Sequence, residues 1–197
     1  MATTTVDTRA ITHQRILDAA FGAVRDFGIS RTTVEDVAQR AGLSRQTVYR
    51  YFPSKDHLVI ALVLREEEKF IEGTRSAFSS EESFEDAFGR AITFCLDYAR
   101  EHPLLDRLLA TDQETFLPYL TTRGQPVIVR AREALMELVE ERAPSADRQA
   151  LRDLLDAAIR ATLSYILTPS GRPPAAVARA MARALVAAIS RESEGEA

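Results

Sequence analysis

The chain has 197 residues, 46% of them hydrophobic and 27% charged, with only eight Gly and eight Pro, which excludes a disordered or fibrous protein. One cysteine, Cys95, excludes an intramolecular disulfide; with no basic-then-apolar leader and no apolar run of roughly 18 residues, the expectation is a cytoplasmic protein without a membrane partner. The net charge of −4 is uneven: residues 1–60 hold eight Lys or Arg against six Asp or Glu, residues 61–197 hold 17 against 23, and the modest N-terminal basic bias leaves nucleic acid open as a partner.

Helical spacing runs through almost every long segment and period-two alternation is missing, so the chain reads as all-α with about nine helices. A first helix is expected over Ile11 to Phe27, with Ile16, Leu17, Ala20, Phe21, Val24 and Phe27 on one stripe and Gly28 as its stop. Thr33, with Asp36 three residues on, predicts a capped short helix from Val34 to Ala41, closed by Gly42. Ser44 caps a second, Arg45 to Tyr51, and Pro53-Ser54 separates it from a long helix, Lys55 to about Phe78.

Ser83 to Glu101 follows, carrying Phe84, Phe88, Ala91, Cys95 and Tyr98 on one face and stopped by Pro103; a short helix to Ala110 comes next. Pro118, Gly124 and Pro126 split residues 112–142 into an interrupted pair. Two last helices, Asp147 to Leu167 and Pro174 to Ser190, flank the turn Thr168 to Pro173, and the final one is so rich in Ala that it must be largely buried, with Arg191 to Ala197 frayed.

Two short helices around a Gly-containing turn form the outline of a helix-turn-helix. Val37, Ala38, Val48 and Phe52 are placed to pack on Leu17, Phe21 and Val24, which turns Arg45, Gln46, Thr47, Tyr49, Arg50 and Tyr51 outward. That mixture suits duplex DNA, because base edges demand hydrogen-bonding side chains while phosphates demand charge and hydroxyls. Arg45 suits guanine and Gln46 adenine. Thr33, Ser44, Tyr49, Tyr51 and Lys55 suit the sugar-phosphate backbone, the competing reading being ordinary core aromatics beside a solvated basic face.

Ile16-Leu17-Asp18-Ala19-Ala20, Phe27-Gly28, Thr32-Thr33-Val34, Val37-Ala38, Ala41-Gly42-Leu43-Ser44 and Val48 to Lys55 together closely resemble the signature of the tetracycline-repressor (TetR) family, over residues 11–60. The resemblance implies a homodimer with a helix-turn-helix DNA-binding domain, residues 1–60, and a helical effector-binding and dimerisation domain, residues 61–197. It maps DNA contacts onto Thr33, Ser44, Arg45, Gln46, Thr47, Tyr49, Arg50, Tyr51 and Lys55, although the family often has Gly where Gln46 stands and commonly a smaller or different residue at Arg50. It also implies that the last two helices pair across a twofold axis through Leu151, Leu155, Ile159, Thr162, Ile166, Met181, Ala184, Leu185 and Ala188, where small side chains allow close approach, the competing reading being a purely intramolecular core.

The second domain has no motif of its own. Phe88, Phe94, Tyr98, Leu108, Phe116, Tyr119, Val127 and Tyr165 offer rings and hydroxyl tips for a largely apolar effector, or simply pack on one another. Arg123 and Arg130 are candidates for an anionic group, and Glu66-Glu67-Glu68 reads as a solvated face. His13, His57 and His102 lack metal-ligand spacing, Cys95 reads as core, and neither a nucleophile motif nor a phosphate-cradling loop is found. The expectation is a ligand-released repressor that binds a palindromic operator and needs no metal, cofactor or catalytic residue. An activator of the same architecture, or a small helical enzyme or carrier, is the alternative.

Overall fold

The computed structural model describes residues 3–78 and 83–195, with side chains from Thr8 to Phe78 and Ser83 to Ala187. Among the described residues ten helices follow in order: α1 (Thr3–Arg31), α2 (Val34–Ala41), α3 (Arg45–Tyr51), α4 (Lys55–Phe78), α5 (Phe84–Glu101), α6 (Pro103–Thr111), α7 (Gln113–Leu120), α8 (Gln125–Arg142), α9 (Arg148–Leu167) and α10 (Pro174–Gly195). Among the described residues there is no strand, and no helix is long and apolar enough to cross a membrane.

The chain forms two compact units, and the division is not a single cut. One holds residues 1–66 together with 107–119; the other holds 67–106 and 120–197. Chain connectivity therefore takes α4 from the first unit into the second, while the end of α6 and most of α7 belong with the first.

In the first unit, Ile16, Leu17, Ala20 and Ala23 of α1 meet Val34, Val37 and Ala38 of α2, Val48 of α3, Phe52 and Leu58. The expected stripe needs correcting at its end. Phe27 is half exposed, and Ile29, beyond the glycine, is buried in its place. Gly28 has φ 82° and ψ 168°, a conformation nearly confined to glycine, which breaks the helix and re-aims the following turn. The helix also starts at Thr3, not Ile11.

Residues 107–119 are tied into this unit by polar contacts. The Ser30 amide donates to Asp112 Oδ2 at 2.9 Å, the Arg107 guanidinium donates to the Asp26 carbonyl at 2.9 Å, and the Tyr119 hydroxyl donates to Asp56 Oδ1 at 2.8 Å. Arg65 of α4 clamps the other side, donating to Asp18 at 2.7 Å and to the buried Glu66, with its guanidinium over the Phe21 ring.

The second unit packs α5, α8, α9 and α10 around Phe78, Phe88, Ile92, Leu96, Met136, Val139, Leu151, Leu154, Leu155, Val177, Ala178 and Ala182. The buried face of α5 is Ala87, Phe88, Ala91, Ile92, Leu96 and Ala99, rotated from the expected stripe so that Phe84, Cys95 and Tyr98 lie at its margin. Cys95 Sγ sits 3.1 Å from Thr74 Oγ1, and burial pushes its thiol pKa up. His102 Nδ1 accepts from the Leu105 amide at 3.2 Å, so this buried histidine caps α6. α10 continues to Gly195, past its expected end at Ser190; residues 196 and 197 of the expected frayed tail lie outside the described ones.

Glu66 and Glu67 are 7% and 8% exposed, which overturns the solvated reading of that acidic run. Three consecutive residues spread through about 200° of a helix, and of these three only Glu68 is exposed.

Candidate nucleic-acid interface

The reader is assembled by caps. Thr33 and Asp36 form a reciprocal box at the start of α2: the Asp36 amide donates to Thr33 Oγ1 at 3.1 Å, and the Thr33 amide donates to Asp36 Oδ2 at 2.8 Å. The Thr33 hydroxyl donates to that carboxylate as well, and these bonds hold the Asp36 pKa below its ordinary value. α2 ends on Gly42 at φ 61°, a left-handed residue whose amide donates to the Gln39 carbonyl, while the Leu43 amide donates to Ala38. Ser44 then caps α3, accepting from the Thr47 amide at 3.1 Å.

Seven residues make α3, and Val48, with no exposed surface, anchors it. Its other face is open: Ser44, Arg45, Gln46, Tyr49 and Arg50 are exposed, and Thr47 and Tyr51 partly so. Arg45 lies over the Tyr49 ring, 5.3 Å from its centroid, and donates to the Tyr49 hydroxyl at 3.2 Å; Arg50 lies 5.9 Å from the Tyr51 centroid. These stacks pre-order two long side chains that would otherwise lose rotamer freedom on docking. Tyr51 also meets His13, which packs against Phe52 at 5.0 Å. Lys55 Nζ donates to the Ser30 carbonyl at 3.1 Å, holding the start of α4 against the end of α1.

The structure thus brings all nine expected DNA contacts to the surface formed by the start of α2, by α3 and by the start of α4. Two α1 residues reach the helix-turn-helix by contacts that no local spacing signals: the Arg15 guanidinium lies 3.5 Å from the Gly42 carbonyl, and His13 packs on Phe52.

Residues 16–62 match the model of bacterial regulatory proteins of the tetR family, and residues 84–187 match that of the bacterial tetracyclin repressor C-terminal domain. The chain belongs to the TetR family of transcriptional regulators. Similar to it is the HTH-type transcriptional regulator AlkX of Mycobacterium tuberculosis, 26% identical over 163 residues, which are 82% of this chain and 77% of that one. The TetR family repressor AlkX from Dietzia sp., implicated in biodegradation of n-alkanes, superposes with a TM-score of 0.72 at 29% identity, over 88% of this chain and 95% of that one. The nucleoid occlusion factor SlmA of Haemophilus ducreyi is 30% identical over 97 residues, about half of each chain (49% and 48%).

As in other TetR-family members, the carboxy-terminal part of this regulator is where effector and dimer residues were expected. The eight effector candidates divide between the units. Phe88, Phe94, Tyr98, Val127 and Tyr165 lie in the second; Leu108, Phe116 and Tyr119 lie in the first. Phe88 is core, edge-on to Phe78 at 6.4 Å, and Tyr165 packs on that core. Phe94 and Tyr98 stack at 5.4 Å, Phe70 meets Tyr98 edge-on at 4.6 Å, and His102 closes the group. Arg130, a candidate for an anionic ligand, is engaged by Glu68.

The dimer candidates divide too. Leu151 and Leu155 are 1% and 3% exposed and pack in the protomer's own core. Ile159, Thr162, Ile166, Met181 and Leu185 are half-buried and Ala184 is exposed; the side chain of Ala188 lies outside the described residues.

Proposed function

We propose that this TetR-family regulator is a homodimeric repressor, cytoplasmic, that binds a palindromic operator through α3 and releases it when a small, largely apolar effector binds the carboxy-terminal part of the chain, residues 61–197. The observation that carries the reading is α3 itself. A seven-residue helix anchored by one buried valine turns its whole polar face outward, with two arginines pre-ordered on tyrosine rings, which is the shape and chemistry that a duplex groove accepts. Arg45 and Gln46 read base edges; Thr33, Ser44, Thr47, Tyr49, Arg50, Tyr51 and Lys55 hold the backbone.

Supporting the dimer is the outer surface of α9 and α10, where Ile159, Ile166, Met181, Ala184 and Leu185 leave apolar area in solvent that a second copy would cover. A dimer sets its two α3 helices roughly 34 to 36 Å apart, one turn of duplex. The effector then acts by preferring another spacing, with α4 as the connecting rod, and by linkage operator DNA weakens effector binding equally. The likeness to a repressor implicated in n-alkane biodegradation supports an apolar effector.

The test is selection of fragments from the source genome by the purified chain, followed by titration of a selected fragment at several salt concentrations. A steep fall of affinity with salt, and a twofold-symmetric protected site, are the expected result. A monomer that ignores genomic fragments at low salt overturns the proposal. Placement of the site relative to promoters separates repression from activation, and turnover of a bound compound would point instead to an enzyme.

A further inference from the structure

Among the described residues, Glu67 combines 8% exposure with two carboxyl oxygens that are both buried and without a hydrogen-bond partner. It lies in the second unit, on α4, one turn before Phe70, and residues three apart on a helix are neighbours. Phe70 belongs to the ring cluster with Tyr98, Phe94 and His102. Polar atoms are seldom left in this condition, because the water they lose must be replaced by something.

We infer that Glu67 is the polar recognition point for the effector, and that the effector carries a neutral hydroxyl on an apolar body. The inference rests on the reading of the carboxy-terminal part of the chain as the effector-binding region. Its chemistry follows from the charges around the carboxyl. Arg130 and Glu68 are the groups that act on it, and they are already paired with each other. A cationic head would face Arg130 and would require an ionised Glu67; an anionic head would face Glu68 and gain an arginine that is already engaged. A hydroxyl buries no charge. It donates to the carbonyl oxygen of a protonated Glu67 and accepts from its O–H, filling both oxygens. The carboxyl is suited to that role, since burial raises its pKa to about 8 against the opposing pull of Arg130, and it is mostly protonated at neutral pH.

The experiment compares 1-octanol, octane, octanoate and octylammonium binding to the full chain by equilibrium dialysis at neutral pH. The expected result is 1-octanol preferred over the other three by about tenfold or more. Glu67→Gln, whose amide also donates and accepts, keeps that preference within about threefold, and Glu67→Leu loses it, binding octane and 1-octanol alike. Preference for either charged probe, or a preference for the alcohol that survives in Glu67→Leu, overturns the inference. Should Glu67→Leu fail to fold, the ranking of the four probes on the native chain and on Glu67→Gln still decides. If all four bind alike, the inference falls and the effector-binding reading stands; if none binds, the reading of this region as a pocket for apolar effectors falls with it.

Discussion

Tyr49 and Glu67 show opposite relations between exposure and consequence. Tyr49 is 37% exposed and contributes little to the core, so Tyr49→Ala is expected to leave the melting temperature within a degree or two while weakening selected DNA by about tenfold, measured by anisotropy. It also removes the support of Arg45, so the loss exceeds that of a lone phosphate contact. Glu67 acts on stability instead. Its folded-state pKa, raised from 4.5 to about 8, means that the folded chain holds this proton after the unfolded chain has released it. Stability from this group is therefore full below the lower value and drains away as pH rises through the upper one. Glu67→Gln does not titrate, so it should gain on the parent between acidic and alkaline urea melts, by at most about 5 kcal/mol and by less where solvent screens the carboxylate. A parent and variant that run parallel across that range would mean Glu67 is not desolvated in solution.

Caps decide whether the short helices exist, because α2 and α3, with eight and seven residues, are too brief to be stable on propensity. Ser44→Ala removes the acceptor for the Thr47 amide and should cost about 1 kcal/mol, with a matching loss of DNA affinity because α3 frays. The same substitution at an exposed, uncapped serine would do neither. Gly28 sets the direction of the chain between α1 and α2 from a backbone conformation that side chains resist, and a Cβ there would stand 3.0 Å from Asp112 Oδ2. Gly28→Ala should destabilise the first unit by about 1 to 3 kcal/mol in a denaturant melt. Its effect comes from two directions at once, since the Asp112 carboxylate is also the acceptor for the Ser30 amide.

Twofold pairing is a property of assembled chains, and its test lies on α10. Ala184 is exposed on the protomer, so Ala184→Glu has no structural cost within one copy but places a charge where a close-packed partner helix would lie. The expected outcome is a folded monomer by light scattering, with affinity for a palindromic site reduced by about a hundredfold through loss of the second α3. Retention of the dimer would move the interface away from this face. Leu155→Ala makes the contrast: at 3% exposure it should cost about 2 to 5 kcal/mol of stability and leave pairing of the surviving folded chains intact.

Where interactions close within three or four residues, the order of amino acids was sufficient. The Thr33 and Asp36 box, the Gly42 stop, the Ser44 cap and the single inward valine of α3 are all local, so the helix-turn-helix and its outward residues could be read before any fold was known. The breaks at Pro103 and around Gly124 were legible for the same reason: a missing amide donor or a fixed φ acts at its own position. Other features depend on what lies opposite a helix, and periodicity names a face without naming its neighbour. That is why Phe27 is half exposed although it lies on the apolar stripe, why Leu151 and Leu155 pack in the protomer's own core, and why Glu66 and Glu67 are covered. The partnership of residues 107–119 with residues 1–66 is the extreme case, joining positions 82, 81 and 63 apart in sequence through Asp112, Arg107 and Tyr119. No spacing rule encodes such contacts, because they are selected by packing in three dimensions and by the need to pair each buried polar group.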